Sequence, residues 1–368
     1  MKITGAVLDT IGKSRPYAQS RPITISEMDL GQPGPTEILV QIEAAGVCHS
    51  DLSVVDGNRV RPVPMLLGHE AAGRVVEIGT DVVGLVPGQR VVMSFLPRCE
   101  KCPNCAEEGR LPCTAGSKSN AAGTLLHGSM RLSRNSKPIY HHLGVSGFAS
   151  YAVVDSASAV PVGDDIPPDI AAVLGCAVLT GGGAVLNAAR PKVEDSIMIV
   201  GLGGVGMAAL ITAVSQNIST IIAVDTMEEK RDQALRLGAH EAYSPQSLLD
   251  KGIKAKYVIE CAGNARAFET AFLATEVGGT TITAGLPAPD AMAAISPMTV
   301  TAEARTIVGS YLGSAVPSRD IPKYAQLWRD GKLPVEELIT SRIQLADINH
   351  AMDQLADGKA VRQVIMFT

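Results

Sequence analysis

Residues 197–206, Ile197-Met-Ile-Val-Gly201-Leu-Gly-Gly-Val-Gly206, are the stretch that decides the fold of this chain. A short apolar run, typical of a buried strand, leads into a G-x-G-x-x-G turn, and an apolar helical pattern follows over residues 207–214. A second apolar run, residues 221–224, ends at Asp225, nineteen residues after Gly206. This order predicts a β-α-β unit with an acidic residue at the end of its second strand.

The turn is typical of a site for the pyrophosphate of a dinucleotide. Gly201 allows the tight turn, Gly203 lets the backbone approach a phosphate, and Gly206 lets the helix pack closely on the strand. Free N–H groups at the helix N-terminus attract the anion, and Asp225 is expected to accept hydrogen bonds from a ribose diol. The predicted binding residues of the turn are Gly201, Gly203, Gly204, Val205 and Gly206. The alternative is a glycine-rich turn without a ligand, in which Asp225 only caps the next helix.

Length, composition and charge restrict the class of protein. The 368 residues are enough for two domains, and 46% hydrophobic with 19% charged residues is typical of a folded globular chain. A net charge of −5, without a Lys/Arg cluster, argues against nucleic acid or a membrane surface as partner. The N-terminus lacks the pattern of a signal peptide. Residues 170–189 are apolar but contain four glycines, so we interpret them as a buried helix with a glycine-rich break. We therefore expect a cytoplasmic protein.

The first half of the chain predicts a small β-barrel or sandwich. Residues 37–47, 71–78 and 89–94 have strand patterns, with Gly and Pro marking turns between them. After residue 225 the pattern alternates helix (228–237), strand (256–260), helix (265–273) and strand (280–284), as in a doubly wound parallel sheet. Further helices are predicted at 318–329 and 345–355, and a last strand at 364–367.

Four of the seven cysteines follow the pattern Cys99-x2-Cys102-x2-Cys105-x7-Cys113. Four thiolates in so short a segment can close a tetrahedral site, which suits a structural zinc. An iron–sulfur cluster and two disulfides are the alternatives. The spacing to the fourth cysteine differs from that of bacterial ferredoxins, and a cytoplasmic chain disfavours disulfides.

Three further potential ligands are scattered along the chain. Cys48, His69 and Cys176 each have an ordinary explanation, since a buried cysteine commonly acts as a small hydrophobic residue. Composition and spacing do not join them.

A resemblance to a known family joins them. Five segments resemble, in order and spacing, the zinc-dependent medium-chain alcohol dehydrogenases: GVCHSD (46–51), LLGHEAAGRVVEIG (66–79), the four-cysteine segment, GCAVLTGGG (175–183) and GLGGVG (201–206). The similarity runs from end to end. The long segment 117–138 is similar to that of the dimeric, liver-type branch, and residues 300–313 resemble the edge-strand region through which such relatives form homodimers.

The resemblance implies an α/β fold with two domains. A GroES-like β-rich catalytic domain would take residues 1–177, including a structural zinc lobe at 96–115. A Rossmann domain with a doubly wound parallel sheet would bind NAD with residues 178–311, and residues 312–368 would return to the catalytic domain.

The same resemblance assigns the catalytic zinc to Cys48, His69 and Cys176, with a fourth position open, so that the chain would bind two zinc ions. Asp51 corresponds to the carboxylate that orients His69, and Glu70 to the acid behind the metal.

The relay that removes the alcohol proton departs from the family pattern. Ser50 corresponds to the hydroxyl that receives this proton, and many relatives end the relay on a histidine five residues after the first ligand. Here that residue is Ser53, which cannot act as a base near neutral pH, so we expect the proton to leave through water.

Coenzyme contacts are also implied by the resemblance. His49 and Arg362 correspond to residues that face the pyrophosphate, and Lys230 to a lysine at the adenosine ribose. An exposed charge without a ligand is the alternative for Arg362 and for Lys230. Thr226 and Met227 offer no guanidinium to a 2′-phosphate and Asp225 would repel one, so NAD is favoured over NADP.

The implied reaction is the interconversion of a hydrophobic primary alcohol, aliphatic or aromatic, and its aldehyde, by hydride transfer from a zinc-bound alkoxide to NAD. Phe95, Leu143 and Leu286 correspond to residues of the substrate tunnel, and residues 121–142 to a loop at its mouth. In the same region, the neighbouring His141 and His142 are expected to point apart on a loop and not to bind metal.

Two other functions stay open. A glutathione-dependent formaldehyde dehydrogenase is disfavoured because Ser117 stands where that branch has an arginine. A non-catalytic protein that binds zinc and NAD is disfavoured by the three intact ligands.

Overall fold

The computed structural model describes residues 1–367, which form two compact units. The first unit contains Met1–Cys176, Val316–Ala325 and the chain from Ile339 onward, and the second contains Ala177–Ala315 and Gln326–Leu338. The first unit is therefore discontinuous in sequence. The division expected from the sequence gave all of 312–368 to the first domain, whereas residues 312–315 and 326–338 join the second unit here.

The strands of the described chain are numbered in chain order. The first ten are β1 (Lys2–Leu8), β2 (Ile23–Leu30), β3 (Glu37–Val47), β4 (Met65–Leu66), β5 (Ala71–Ile78), β6 (Arg90–Met93), β7 (Leu132–Arg134), β8 (Lys137–His141), β9 (Tyr151–Asp155) and β10 (Ala159–Pro161). The others are β11 (Ser196–Val200), β12 (Thr220–Val224), β13 (Glu241–Tyr243), β14 (Ala255–Glu260), β15 (Thr275–Thr283), β16 (Thr306–Gly309), β17 (Ile339–Ile343) and β18 (Arg362–Met366).

The helices are numbered in the same way. They are α1 (Tyr17–Ser20), α2 (His49–Val55), α3 (Thr114–Ala122), α4 (Pro168–Val173), α5 (Leu179–Gly183), α6 (Gly204–Ser215), α7 (Glu228–Arg236), α8 (Pro245–Asp250), α9 (Ala265–Leu273), α10 (Pro297–Ala302), α11 (Pro317–Arg329) and α12 (Ile348–Ala356).

The first unit is built from a closed barrel and a second sheet. The barrel has the strand order β1-β2-β7-β8-β4, and the seven-stranded sheet has the order β10-β6-β5-β3-β18-β17, with β9 also paired to β3. Buried aliphatic side chains of β3, β5 and β6 form the core together with α2 and α12. The antiparallel pairing of β18 with β3 sets Gln363 opposite Val47, which places the C-terminal strand beside the start of α2.

The second unit contains a six-stranded parallel sheet with the order β13-β12-β11-β14-β15-β16. Strand order reverses on either side of β11, the strand that leads into the glycine turn. In open α/β sheets a ligand binds beside the carboxyl ends of the strands at such a switch point. The predicted α/β class, with a β-rich domain and a doubly wound parallel sheet, is confirmed.

The long apolar segment is a continuous helix without the break that the glycines led us to expect. It runs from Pro168 to Ala189. One π-helical turn, Leu174–Val178, connects α4 to α5, and a second, Ala184–Ala189, follows α5. The whole segment is the one helix, among the residues described, that is long and apolar enough to cross a membrane. Of its most apolar stretch of 18 residues, 94% is buried inside the protein. The glycines serve close packing: a Cβ on Gly181 would lie 2.1 Å from the carbonyl oxygen of Val205 in α6.

The segment predicted as a loop over residues 121–142 is also different. It contains β7 and β8, which form an antiparallel pair, and β8 runs parallel to β4 within the barrel. The sequence Leu132–His141 lacks a long alternating pattern, so its pairing depends on neighbouring strands.

Candidate active site

The structure brings Cys48, His69 and Cys176 together in the first unit. One ligand atom from each of these residues, and from Glu70, lies within 4.8 Å of the others, and all four side chains are buried. Cys48 immediately precedes α2, His69 follows β4, and Cys176 lies on the π-helical turn. Gly175 allows this turn to approach β6, because a Cβ there would lie 2.3 Å from the carbonyl oxygen of Met93.

The donor set has the chemistry and spacing of a zinc site. Cys176 Sγ lies 3.5 Å from His69 Nε2. A tetrahedral zinc with bonds of about 2.3 Å to sulfur and about 2.05 Å to nitrogen separates the two by about 3.6 Å. Cys48, Cys176 and His69 would therefore hold the ion.

Asp51 fixes the orientation of His69. Its Oδ1 lies 3.1 Å from His69 Nδ1 and accepts a hydrogen bond from Gly68 N at 3.2 Å, and its Oδ2 accepts one from Cys48 N at 3.1 Å. Burial favours the neutral acid, but the charge of His69, its hydrogen bond and the nearby Nδ1 of His142 lower the pKa of Asp51 to about 2. An ionised Asp51 selects the His69 tautomer with the proton on Nδ1, so that Nε2 is free to bind metal.

Behind these ligands lies a buried pair of opposite charges. Arg362 Nε is 3.4 Å from Glu70 Oε1, and Arg362 also donates to Val47 O at 3.2 Å. Within residues 1–367 neither Glu70 oxygen has an aligned hydrogen-bond partner. Burial raises the pKa of Glu70 to about 7, although Arg362 opposes this. Gly46 leaves room for the carboxylate in its present place, since a Cβ there would be 2.0 Å from Glu70 Oε1. The predicted contact of Arg362 with a phosphate stays a prediction.

The other predicted residues of the first unit lie close by in sequence or contact the ligands. His49 and Ser50 begin α2, and Ser53 donates to the carbonyl oxygen of Ser50 at 3.0 Å. Phe95 is buried, with its ring edge-on to His69 at 5.7 Å between centroids. Leu143 is buried in a left-handed turn with φ of 51°.

In the second unit, the three glycines of the turn have distinct surroundings. Gly201 has φ of 92°, and a Cβ there would lie 2.6 Å from the Cβ of Ala262. A Cβ on Gly206 would lie 1.8 Å from Gly201 O, whereas one on Gly203 would meet no atom within 4 Å. Gly201 and Gly206 are thus needed by the fold itself. Gly203 instead borders open space at the N-terminus of α6, as a phosphate-binding turn requires.

Asp225 lies directly after β12 and contacts the same turn. Its Oδ2 accepts a hydrogen bond from Leu202 N at 2.7 Å, and its Oδ1 accepts one from Met227 N at 2.9 Å. Arg231 donates to the carbonyl oxygens of Asp225 and Thr226, both at 2.9 Å. Lys230 lies half-buried on α7, and Leu286 is half-exposed after β15.

The four-cysteine segment forms a separate cluster in the first unit. The sulfur atoms of Cys99, Cys102, Cys105 and Cys113 all lie within 4.8 Å of one another, and all four cysteines are free. Cys102 Sγ lies 3.5 Å from Cys105 Sγ and 4.0 Å from Cys113 Sγ. A tetrahedral zinc places its sulfur ligands about 3.8 Å apart, so these residues would hold one. Hydrogen bonding from the backbone of Thr114 is the main cause that lowers the pKa of the Cys102 thiol to about 6, whereas burial and Cys102 raise the pKa of Cys105 to about 12, so the two neighbouring thiols share a proton.

A surface depression of about 700 Å³ lies beside this cluster and not beside Cys48. Arg98 and Arg319 line it, but they donate to backbone carbonyl oxygens, including Cys105 O and Glu108 O. Since these guanidinium groups already have partners, we assign the depression no binding role.

One residue of the site was missed by the sequence analysis. His142 lies on a loop directly after β8, as expected, but its side chain is buried and its Nδ1 lies 3.1 Å from Asp51 Oδ1. Its neighbour His141 is buried elsewhere and accepts a hydrogen bond from Arg131 N at 3.0 Å. The two rings do have different surroundings, as expected. The signal that places His142 here is the parallel pairing of β8 with β4, which no local pattern reveals.

Comparison with known proteins gives two matching families. Residues 34–164 match the alcohol dehydrogenase GroES-like domain, and residues 204–329 match the zinc-binding dehydrogenase family.

Individual relatives are similar along the whole chain. Alcohol dehydrogenase B of Mycobacterium tuberculosis is 33% identical over 379 residues, covering 100% of this chain and 99% of the relative. The structure of benzyl alcohol dehydrogenase from Acinetobacter calcoaceticus is 28% identical, with a TM-score of 0.91 and 100% of both chains covered. Acetophenone reductase from Geotrichum candidum, solved in complex with NAD, is 25% identical with a TM-score of 0.79, covering 100% of this chain and 97% of the reductase.

Proposed function

The chain belongs to the zinc-dependent medium-chain alcohol dehydrogenases, and we propose that it interconverts a hydrophobic primary alcohol and its aldehyde with NAD as the hydride acceptor. The observation that carries this proposal is the buried cluster of Cys48, His69 and Cys176. Three protein ligands leave the fourth position of a tetrahedral zinc for substrate, as in catalytic zinc sites and unlike the four-cysteine cluster.

Each group supplies one part of the chemistry. When bound, zinc supplies a Lewis acid that favours ionisation of the alcohol at neutral pH, and NAD supplies the carbon that accepts the hydride. Asp51 keeps the His69 ring in the tautomer and orientation that bind the metal. Glu70 and Arg362 contact each other beneath the ligands, so the buried guanidinium has a carboxyl partner on that side of the site.

The proton of the alcohol passes to the side chain of Ser50 and then to water. Ser53 supports this route, because its hydroxyl donates to the carbonyl oxygen of Ser50 and so holds the first turn of α2 in place. A serine hydroxyl is not basic near neutral pH, so Ser53 cannot keep the proton.

A hydrophobic substrate is supported by Phe95, whose ring packs against His69, and by Leu143, which follows His142 in sequence. Phe95 and Leu143 are buried and apolar, with exposures of 7% and 8%. An apolar lining selects a substrate by its apolar surface and shape. Benzyl alcohol dehydrogenase, which covers the same length of chain, supports an aromatic alcohol as the first substrate to test.

NAD is favoured over NADP by the surroundings of Asp225. Two backbone N–H groups hold its carboxylate at the end of β12, and the guanidinium of Arg231 is engaged by two carbonyl oxygens. A 2′-phosphate placed here would meet a negative charge. A higher kcat/KM with NADP than with NAD would contradict this assignment.

A homodimer in the cytoplasm is the proposed form of the protein. β16 is the edge of the six-stranded sheet, and within the described chain its outer side is unpaired. Ile307 on this strand and Val277 in β15 are exposed by 38% and 71%. An exposed apolar edge strand is a ready surface for a second copy of the chain. Light scattering that gives a monomer at micromolar concentration would refute the dimer.

A substrate panel with metal analysis tests the proposed function. We expect two zinc ions per chain and NADH formation from benzyl alcohol and long-chain alcohols. Cys48→Ser should abolish turnover and remove one zinc. Activity with formaldehyde only in the presence of glutathione would favour the glutathione-dependent branch instead. One zinc per chain without any activity would favour a non-catalytic protein.

A further inference from the structure

His142 contacts both the zinc ligand His69 and the carboxylate that orients it. Its Nδ1 lies 3.1 Å from Asp51 Oδ1, and its ring meets the His69 ring edge-on, with 5.5 Å between centroids. Both His142 and Asp51 are almost fully buried, at 1% and 0% exposure. Together with Phe95, His142 therefore restricts the ring of His69 by packing.

The backbone holds His142 in this place. β4 and β8 are parallel neighbours, with Leu66 opposite His141. The segments that follow these two strands therefore leave the sheet side by side, one toward His69 and the other toward His142. The hydroxyl of Ser146 then links them, because it accepts from His142 N and donates to Leu66 O, both at 3.0 Å. His142 is thus fixed to the same strand end that carries the zinc ligand.

The Nδ1 of His142 is a third nitrogen close to Oδ1 of Asp51, and it lies outside the direction of an aligned hydrogen bond. Oδ1 of Asp51 already faces Gly68 N and His69 Nδ1, which occupy the two lone pairs of a carboxylate oxygen. The Nδ1 of His142 has the distance of a bond but not its alignment, and within residues 1–367 it has no aligned partner. An unprotonated Nδ1 would set a lone pair against a carboxylate. The proton therefore belongs on Nδ1, and its positive end stabilises the charge of Asp51.

We propose that His142 is a positioning residue of the catalytic zinc site, which holds the Asp51 carboxylate in place so that Asp51 can orient His69. This inference rests on the proposed assignment of Cys48, His69 and Cys176 as zinc ligands. Partners in this outer layer of a metal site affect affinity or activity by about 10- to 100-fold when removed. His142 would then act on metal retention and on kcat together, without itself touching the metal.

A matched pair of variants separates the donor from the volume of the ring. The amide introduced by His142→Asn would carry an N–H at the same number of bonds from the backbone as Nδ1, and His142→Leu has nearly the same shape without a donor. A third variant, His142→Phe, keeps an aromatic ring against His69 but also lacks the donor.

The measurement is release of zinc from the holoenzyme to a chromogenic chelator, with the four-cysteine cluster as internal control. We expect His142→Leu and His142→Phe to release the catalytic zinc about 10-fold faster or more, with the lobe zinc unchanged. His142→Asn should restore release and kcat close to those of the unmodified enzyme. Substitution of Co²⁺ at the catalytic site should show the same order in the thiolate-to-cobalt absorption bands, which a loss of packing elsewhere would not shift.

The outcomes separate this inference from the function on which it rests. If all three variants release zinc at the rate of the unmodified enzyme and share its cobalt spectrum, the role of His142 is overturned while the function is left intact. Faster release from His142→Asn than from His142→Phe would assign the effect to the ring and overturn the donor. An unmodified chain that binds only the lobe zinc would overturn the proposed function itself. If His142→Leu fails to fold, His142→Phe gives the same comparison with His142→Asn.

Discussion

Gly203→Ala is the substitution that tests the coenzyme site most directly, because it should separate binding from stability. Gly203 has φ of −79° and ψ of −168°, which an alanine adopts without strain. A Cβ there would meet no atom within 4 Å. In the absence of coenzyme the variant should therefore be as stable as the unmodified chain. Alanine restricts the unfolded chain more than glycine, by about 0.4–1 kcal/mol, but Gly203 is the N-cap of α6, where glycine is favoured over alanine, so the two effects offset each other.

Coenzyme binding should suffer from the same change. The open space beside Gly203 is where the pyrophosphate is expected to meet the backbone N–H groups of the turn. A methyl group there keeps the phosphate from closing a hydrogen bond to a charged group, worth about 1.5–3 kcal/mol. Each 1.4 kcal/mol is a factor of ten, so the Kd for NADH should rise by about 10- to 140-fold.

Two assays on one preparation of Gly203→Ala separate the effect on coenzyme binding from the effect on stability. Titration of NADH fluorescence gives Kd, and thermal unfolding without coenzyme gives stability. Gly206→Ala is the control, since its Cβ would lie 1.8 Å from Gly201 O and α6 must shift; overpacking of this kind costs about 1–3 kcal/mol or more. An unchanged Kd in Gly203→Ala would refute the phosphate site. A loss of stability equal to that of Gly206→Ala would refute the open space.

Three further predictions concern the first unit. Glu37 is buried and ion-paired to Arg131 at 2.7 Å. Burial favours its neutral form, but Arg131 and other hydrogen bonds lower the pKa, so Glu37→Gln should reduce the free energy of unfolding at neutral pH by about 1.5–3 kcal/mol. Because the folded pKa is the lower one, this stabilisation is present above the usual value of about 4.3 and is lost as pH falls through the folded value; urea unfolding of the two chains should converge once the pH lies below that folded value. The sulfur of Cys113 accepts from Cys99 N and Gly116 N, both at 3.4 Å, so Cys113→Ser should cost the lobe zinc and lower Tm; metal analysis that still finds both ions would contradict the assignment of that cluster. Ser53→His supplies a base at the end of the relay and should raise kcat near neutral pH if proton release limits the rate; a pH–rate profile that does not move would argue for another exit.

Local patterns predicted many elements at their observed bounds. β3 (Glu37–Val47), β5 (Ala71–Ile78) and α9 (Ala265–Leu273) have the predicted limits. Their signals are local: partial alternation in the strands, and Asn264 before α9, whose side chain accepts from Ala267 N at 2.9 Å. The glycine turn was also predictable from local sequence, because glycine readily adopts the positive φ that Gly201 has here.

Elements set by tertiary contacts were predicted less well. Four glycines within residues 168–189 suggested a break, because glycine disfavours an isolated helix. Here Gly183 lies so close to Gly313 that a Cβ would be 2.3 Å from its carbonyl oxygen. Tight packing, not flexibility, requires glycine at this position, and tertiary contact overrides propensity.

The candidate site shows the same limit more sharply. Cys48, His69 and Cys176 come from a residue before α2, a residue after β4 and a π-helical turn. No spacing rule connects three such positions, and only the resemblance to a family did so. The resemblance placed His142 only at the end of a loop and gave it no role, so the sequence offered no means of adding it to the site.

The charges buried at the site explain why metal binding should be coupled to folding. Arg362 lies beside Glu70, and the Asp51 carboxylate faces Nδ1 of His69, so each of these side chains has a polar partner. Cys48 and Cys176 instead face each other, and their mutual hydrogen bond holds the pKa of Cys48 well below and that of Cys176 well above the usual range. One proton shared by two buried thiols leaves a negative charge that a divalent cation can neutralise together with the second thiolate. Zinc bound here would stabilise the folded state by neutralising the charge of the two thiolates. Chelation of the catalytic ion should lower Tm, although none of its three ligands belongs to the aliphatic core around Ala45, Val47 and Met93.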